Sequence, residues 1–522
     1  MESILHYLVL AAIAYCLIAV PLRLWKHRFV IRKIRGPPRP SFLLGHEPLL
    51  TGRQYIGDLE MEWYQQYGAV YRTGGCFGQD ILSVSDPKAL QYIFQSSGYR
   101  FPKTRDMHRF GEALSGPALG KVHQRQRRIL GPAFATPQLR NFLSVFQASA
   151  MKITEHIGDA KEINVLEWTS KAALDVIGIT SFRCKFNSLD GTKTELMGAL
   201  DNLFGESLMW PTTWELLFTA LCRILPEWVF SLLSRLPNRD AARLSRFRDV
   251  ATKVSRPMFE KQLVEVANDA NPAEKDIVNI LAMSYLADGA KKMSDIEIDS
   301  QLATFIIAGH DATATTMAWL LYELSRYPED QAKVREEIAM TKSKAPGPLK
   351  SSDYDSIGAV RDSNRVRIAQ DDVLPLAEPI IILDGTECSQ VPIAKGQVIF
   401  ASLYTYNRLP SVWGDDAGEW NPHRFLEDRG EKQESLGVYA NLSTVDYLAT
   451  TGAGIRGCIG WRFAVMEFQS VVTELLSNFG FSIPKGAPDI QPCPVGFGTI
   501  PTVLGKTKEG PQIPLLVTPL SK

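Results

Sequence analysis

Helical periodicity is the feature that most restricts this chain. Apolar side chains recur every three or four residues through Lys121–Leu130, Ala148–Ile157, Trp168–Ile179, Arg243–Ala267, Ser294–Arg326 and Pro328–Met340. Each stretch carries an apolar stripe that must be covered, and with no internal repeat, low-complexity tract or linker between them the helices have to cover one another. Short β-type segments bracket this helical middle. After a helix expected at Tyr55–Tyr67 come Ala69–Thr73 and Asp80–Val84; beyond the middle come Val366–Ala369, Ile380–Leu383 and Val398–Leu403, punctuated by Gly385 and Gly396. A last helix is expected from about Ile459 to Asn478. The expected fold is one large, mainly α domain with a smaller β part, over residues 41–522. With 45% hydrophobic residues the chain can bury such a core, and 57 basic against 57 acidic side chains leave no net charge to drive nucleic-acid binding.

Ile4–Leu22 is apolar apart from His6, Tyr7 and Tyr15, and a helix of that length, rising about 1.5 Å per residue, nearly crosses a hydrocarbon core of roughly 30 Å. No Lys or Arg precedes it, whereas Arg23, Lys26, Arg28, Arg32, Lys33, Arg35 and Arg39 follow, which predicts a cytosolic body. A cleaved secretory signal needs a basic start, and Met1-Glu2-Ser3 has none. Residues 1–24 are therefore expected to form a single membrane anchor. Residues 25–40, ending in Gly36-Pro37-Pro38-Arg39-Pro40, read as a basic, proline-stiffened hinge. Leu203–Leu236 is rich in large apolar residues, including Trp210, Trp214 and Phe218, and reads either as buried helix or as a face dipping into the membrane beside the anchor.

The seven cysteines are scattered and form no C-x-x-C pair, so neither a disulfide scaffold nor a zinc cluster is signalled and any cysteine chemistry rests on one thiol. Cys458 is that thiol. It stands in Thr451-Gly452-Ala453-Gly454-Ile455-Arg456-Gly457-Cys458-Ile459-Gly460, just before a helix. The G-x-G-x-x-G at Gly452, Gly454 and Gly457 invites a dinucleotide reading, but no βαβ unit with an acidic residue follows. A cysteine where a glycine-dense turn meets a helix N-terminus is instead placed to be a thiolate, stabilised by backbone N–H groups and the helix dipole. Glycines admit a flat ligand close to the backbone, and Arg456 can pair with an anionic group beside the thiol. These features suit heme, whose iron accepts an axial thiolate and whose propionates need counter-charges. A plain buried cysteine remains open on residue chemistry, and a cysteine nucleophile lacks a recognisable histidine relay.

The loop resembles the heme-binding signature of the cytochrome P450 family, F-x-x-G-x-R-x-C-x-G, with Gly454, Arg456, Cys458 and Gly460 in register and Thr451 in place of phenylalanine. The helix Trp461-Arg462-Phe463-Ala464-Val465-Met466-Glu467 is similar to that of microsomal fungal members. Ala308-Gly309-His310-Asp311-Ala312-Thr313 resembles the family's oxygen-activation motif A-G-x-D/E-T-T, with Ala312 replacing the first threonine and Gly309 expected to allow a kink. His123-Gln124-Arg125-Gln126-Arg127-Arg128 resembles the helix that binds propionates. His123 and Arg127, at i and i+4, share a face, and Arg125 and Arg128 are left to dock an acidic partner. Asn407-Arg408-Leu409-Pro410 and Trp420-Asn421-Pro422-His423-Arg424-Phe425 resemble the family's meander.

One element is missing. The family's E-x-x-R helix should precede Arg367, yet Ser351–Arg367 has no such motif, and Glu323–Arg326 comes too early. Asn441–Thr451, conversely, is longer than the family pattern. The shortfall and the surplus read as one coding segment skipped and one intervening segment retained. An intact chain would leave Arg424 without its ionic partners.

The resemblance implies a heme-thiolate monooxygenase that inserts one oxygen atom of O2 into an apolar small molecule, a secondary metabolite such as a terpenoid, or a xenobiotic. It implies heme b as cofactor and electrons from NADPH through cytochrome P450 reductase. Cys458 would be the axial iron ligand, Asp311 and Thr313 the proton relay, and His123, Arg127, Arg456 and Arg367 the propionate contacts, with Gly454 and Gly460 shaping the loop. It further implies a single-pass protein of the endoplasmic reticulum membrane, in contact with lipid and not with nucleic acid. Two alternatives stay open: a P450-fold isomerase or dehydratase needing no reductase, and a heme-deficient relative.

Overall fold

The computed structural model describes residues 30–520 apart from 52, 54, 106–119, 159–160, 193, 202, 204–208, 226–238, 269–275, 345–364, 426–453 and 496–497. The expected anchor, the missing E-x-x-R region before Arg365 and the long segment before Gly454 lie outside the described residues. Among the described residues no helix is long and apolar enough to cross a membrane.

After a single helical turn at Glu47–Leu50 come helix α1 (Asp58–Tyr67) and the antiparallel pair β1 (Val70–Gly74) and β2 (Asp80–Val84). The helical middle comprises α2 (Gly120–Leu130), α3 (Thr136–Ile157), the short strand β3 (Glu162–Asn164), α4 (Val165–Phe182), α5 (Glu195–Asp201), α6 (Thr213–Ile224), α7 (Arg239–Asn268), α8 (Ile277–Leu286), α9 (Asp295–Arg326) and α10 (Pro328–Lys344). Strands β4 (Arg365–Ile368), β5 (Asp372–Ile381), β6 (Glu387–Ile393) and β7 (Val398–Ala401) follow. After the Cys458 loop come α11 (Trp461–Asn478), β8 (Phe479–Ser482), β9 (Ile490–Val495), β10 (Gly498–Val503) and β11 (Pro514–Pro519).

The longest helix, α9, starts where its sequence says it should. Ser294 Oγ accepts from the Glu297 backbone N–H while the Glu297 carboxylate accepts from Ser294 N–H at 3.0 Å, a reciprocal cap that satisfies two orphan donors. The helix then runs through the middle of the core and is apolar nearly all round, with Leu302, Ala303, Ile306, Ala314, Met317 and Leu321 fully buried. It packs chiefly against α4, and α11 packs against α3. Gly309 lies against α4: a Cβ there would meet Ile177 Cδ1 at 2.5 Å. This corrects the expected kink. The helix continues unbroken through Gly309, whose missing side chain lets two helices touch.

Among the described residues the β part forms four small sheets. β1-β2-β7-β4 is mixed, with β2 and β7 parallel, and β5 pairs β6, β9 pairs β10, and β11 joins β3 to β8. Because β8, the strand after α11, pairs antiparallel with β11, no βαβ unit follows the glycine-rich loop and the dinucleotide reading fails. Pro410–Trp413 and Pro422–Phe425 form short turns. Trp420 fastens this region to the corner between α9 and α10: its indole N–H donates to Asp330 at 2.9 Å and its ring stacks on Tyr327 at 5.8 Å.

Candidate functional site

Gly454–Arg456 makes a single 3-10 turn, Cys458 follows, and Gly460 is the N-cap of α11. Gly460 offers no capping side chain, so the first N–H groups of α11 are not satisfied by one at the cap, and their partial positive charge lies beside the thiol. A Cβ on Gly460 would stand 3.3 Å from the Phe134 ring and 4.0 Å from Cys458 Sγ, so glycine lets an aromatic ring and the sulfur share the space in front of the helix. Phe134 in turn leans on Phe305 of α9, ring centroids 5.9 Å apart. The six described cysteines form no disulfide.

Four predicted site residues converge on this loop from three elements. On α2, His123 and Arg127 share a face as their spacing requires. Arg127 donates to the carbonyl oxygen of Gly457, the residue before the cysteine. Arg456 lies over the ring of Tyr99, 4.7 Å from its centroid. Arg367, on β4, is buried and lies over Phe94, 5.1 Å from that centroid. Phe94 belongs to the turn Tyr92–Ser96, which packs against the Gly454–Arg456 turn, so one short segment supports both arginines.

The electrostatics are those of a site awaiting an anion. Among the described residues no carboxylate pairs with Arg127 or Arg456, and Arg456 Nε is buried without a hydrogen-bond partner. Burial lowers the Arg456 pKa. His123 is pushed down to about 4, first by burial and then by the positive charges of Arg456, Arg127 and Lys103, so it is neutral at physiological pH. Leaving a buried cation uncompensated costs about 3–5 kcal/mol, a penalty that a dianionic ligand removes. Heme fits this test: its propionates supply two carboxylates, and Cys458 supplies the thiolate.

On α9, Ala308 is exposed and Gly309 to Ala312 are partly accessible, although the turns on either side are largely buried. Thr315 and Thr316 return their hydroxyls to the carbonyls of Asp311 and Ala312, at 2.9 and 2.8 Å. Thr313 makes no such bond: its hydroxyl has no partner among the described residues and is left to serve another group. His310 Nδ1 is buried without a partner, and burial lowers the His310 pKa against the opposing pull of Asp311 and Asp201.

One expectation needs correction. Arg125 is not a free docking charge; it pairs with Glu297 and donates to the Lys292 carbonyl at 2.9 Å, tying α2 to the start of α9. Gln126 donates to the same carboxylate at 3.0 Å. Arg128, by contrast, is exposed. Glu323 and Arg326 form only a local pair, 3.0 Å, at the end of α9. The Arg424 side chain lies outside those described. Tyr99 and Phe94 were not legible as site residues, because no spacing rule links Tyr99 to His123 or Phe94 to Arg367.

The sequence model of the family described as Cytochrome P450 matches residues 35–358 and 367–504. The interruption falls directly before Arg367. Among known proteins, cytochrome P450 monooxygenase claU of Ampulloclitocybe clavipes is 27% identical over 527 aligned residues, covering 95% of this chain and 94% of its own. Cytochrome P450 monooxygenase 205 of Postia placenta is 29% identical, over 94% of this chain and 93% of its own. Cytochrome P450 monooxygenase 219 of the same fungus is 32% identical over 88% and 89%.

Proposed function

The chain belongs to the cytochrome P450 family and is on that footing a heme-dependent oxidoreductase; we propose that it inserts one oxygen atom of O2 into an apolar small molecule, with electrons from NADPH through a reductase. The single observation carrying the reading is the Cys458 loop, its thiol at the foot of α11 and close to Arg127 and Arg456, which have no carboxylate of their own among the described residues. Heme held there by a thiolate supplies the redox-active iron on which dioxygen is activated. The protein's part is binding and proton handling. Cys458 Sγ would ligate the iron; Arg456, Arg127 and Arg367 would offset the propionate charges, and neutral His123 would donate a hydrogen bond to a propionate. Asp311 and the unengaged Thr313 hydroxyl hold a proton path in the accessible turn of α9, and Ala312, which lacks a hydroxyl, leaves that path to Thr313.

Membrane association is part of the proposal. Trp214 on α6 is 68% exposed and Phe42 67%, with Leu43 and Leu49 also outward. Arg223 of α6 pairs with Glu47 at 3.2 Å, drawing these two regions together, while Ala220, Cys222 and Ile224 face inward. Both readings of Leu203–Leu236 thus find support, an inner core face and an outer apolar one. Together with the apolar N-terminus they favour a single-pass protein of the endoplasmic reticulum membrane with a cytosolic body. The relatives' names say monooxygenase, which agrees with oxygen insertion; a secondary metabolite such as a terpenoid, or a xenobiotic, is the substrate class that the family resemblance suggests.

The absorption difference spectrum of the reduced, carbon-monoxide-treated protein tests the thiolate. The long-wavelength band of thiolate-ligated heme is expected, and Cys458→Ser is expected to abolish it. Incorporation of labelled oxygen from O2, dependent on NADPH and reductase, tests the reaction; turnover without reductase would point to isomerase or dehydratase chemistry. Purified protein free of heme would support the heme-deficient reading, which the interruption before Arg367 favours.

A further inference from the structure

Tyr99 touches both His123 and Arg456. Its hydroxyl lies 2.8 Å from His123 Nδ1, its ring meets the imidazole edge-on at 5.9 Å, and Arg456 covers its face. We propose that Tyr99 is a heme-positioning residue that acts through His123, its hydroxyl donating to Nδ1 and so fixing the imidazole in the form that carries its proton on Nε2. The inference rests on the heme reading above.

The argument is one of matching donors to acceptors. A neutral imidazole has one N–H and one lone pair. His123 is neutral here, since burial and the charges of Arg456, Arg127 and Lys103 oppose its protonation. A propionate carboxylate only accepts. If Nδ1 carried the proton, Nε2 would present a lone pair to an acceptor; with the Tyr99 hydroxyl donating to Nδ1, Nε2 presents an N–H. His123 Nε2 has no partner among the described residues, so that N–H is available. The same ring serves Arg456 differently. Stacking uses the face of the guanidinium and leaves its edge, including the unpartnered Nε, to donate in plane. Tyr99 therefore organises two donors for one anionic group without spending a charge.

The test is the rate at which the full-length, heme-loaded protein gives up heme to an excess of heme-free globin, read from the Soret band. Tyr99→Phe keeps the ring, and so the Arg456 stack, while removing the hydroxyl; heme loss is expected to be about five- to tenfold faster, the effect of one hydrogen bond. In a His123→Gln background, where the amide N–H needs no tautomer, Tyr99→Phe is expected to change nothing further. An unchanged rate for Tyr99→Phe in heme-loaded protein overturns the inference alone, as does an equal acceleration in both backgrounds, which would make Tyr99 act without His123. If Tyr99→Phe does not accumulate, Tyr99→Trp, with its ring and without a hydroxyl, takes its place under the same expectations. Wild-type protein with no Soret band overturns the heme reading and this inference with it.

Discussion

At the scale of single residues, two positions in the core carry unusual polar chemistry. The Thr313 hydroxyl makes no hydrogen bond among the described residues, whereas those of Thr315 and Thr316 are committed to the helix backbone. Thr313→Ala is expected to leave substrate binding intact and to lower the product formed per NADPH by roughly tenfold or more, the scale of one proton-transfer group; Ala312→Thr should raise it. Measuring peroxide release beside product decides the point. Glu467 is fully buried on α11 and both carboxylate oxygens lack partners, so burial holds its pKa well above the usual range. In the unfolded chain that carboxyl ionises near pH 4.3, whereas in the fold it stays protonated. Folding therefore loses stability as pH rises above about 4.3. Glu467→Met, similar in volume and without the carboxyl, is expected to be more stable by about 1–3 kcal/mol at neutral pH, with the advantage shrinking toward pH 4. Denaturant titrations of the two proteins at pH 5 and pH 8 measure this. Equal stabilities at both would show that the carboxyl finds a partner.

At the scale of elements, the join between α2 and α9 combines a helix cap with an ion pair. Glu297 closes the cap with Ser294 and also receives Arg125 and Gln126. Burial raises its pKa, but the hydrogen bonds from Ser294, Gln126 and Arg125 and the Arg125 charge outweigh this, and the net shift is downward. A lowered carboxyl pKa contributes stability above the unfolded value near 4.3, lost as pH falls through the folded one. Ser294→Ala is expected to cost about 1 kcal/mol. The stability gap between wild type and Glu297→Gln should be complete at pH 7 and close below about pH 4. Since α2 also carries His123 and Arg127, Glu297→Gln is expected to loosen heme as well, visible as faster heme transfer. The helices themselves were largely legible: Gly120–Leu130, Val165–Phe182, Arg239–Asn268 and Asp295–Arg326 extend the periodic stretches by only a few residues. Helix α3 was read as starting twelve residues late, because Thr136–Gln147 mixes polar and apolar residues whose inward face only its partner α11 reveals. β11 was missed, since a strand flanked by prolines is recognisable only beside the strands β3 and β8 that pair with it.

At the scale of the whole molecule, the family match runs from residue 35 to residue 504 with one interruption, residues 359–366, where the E-x-x-R helix is due. Sequencing the transcript across residues 345–367 and 436–456 is expected to restore a segment carrying Glu-x-x-Arg before Arg367 and to remove one before Gly454. A transcript matching this chain at both junctions would reject that expectation, and heme retention then becomes the measurement that matters. The sequence by itself determined the mainly α class and the positions of the longest helices, because periodicity is a local property that survives without a third dimension, and through the family resemblance it marked Cys458, His123, Arg127, Arg367 and Arg456 as candidate site residues. Only the tertiary structure decided what those residues touch. It gave Arg125 to Glu297, made Gly309 a contact rather than a kink, and brought Phe94 and Tyr99 under two arginines. Such pairings join residues up to some 350 positions apart, and packing, not sequence spacing, selects them.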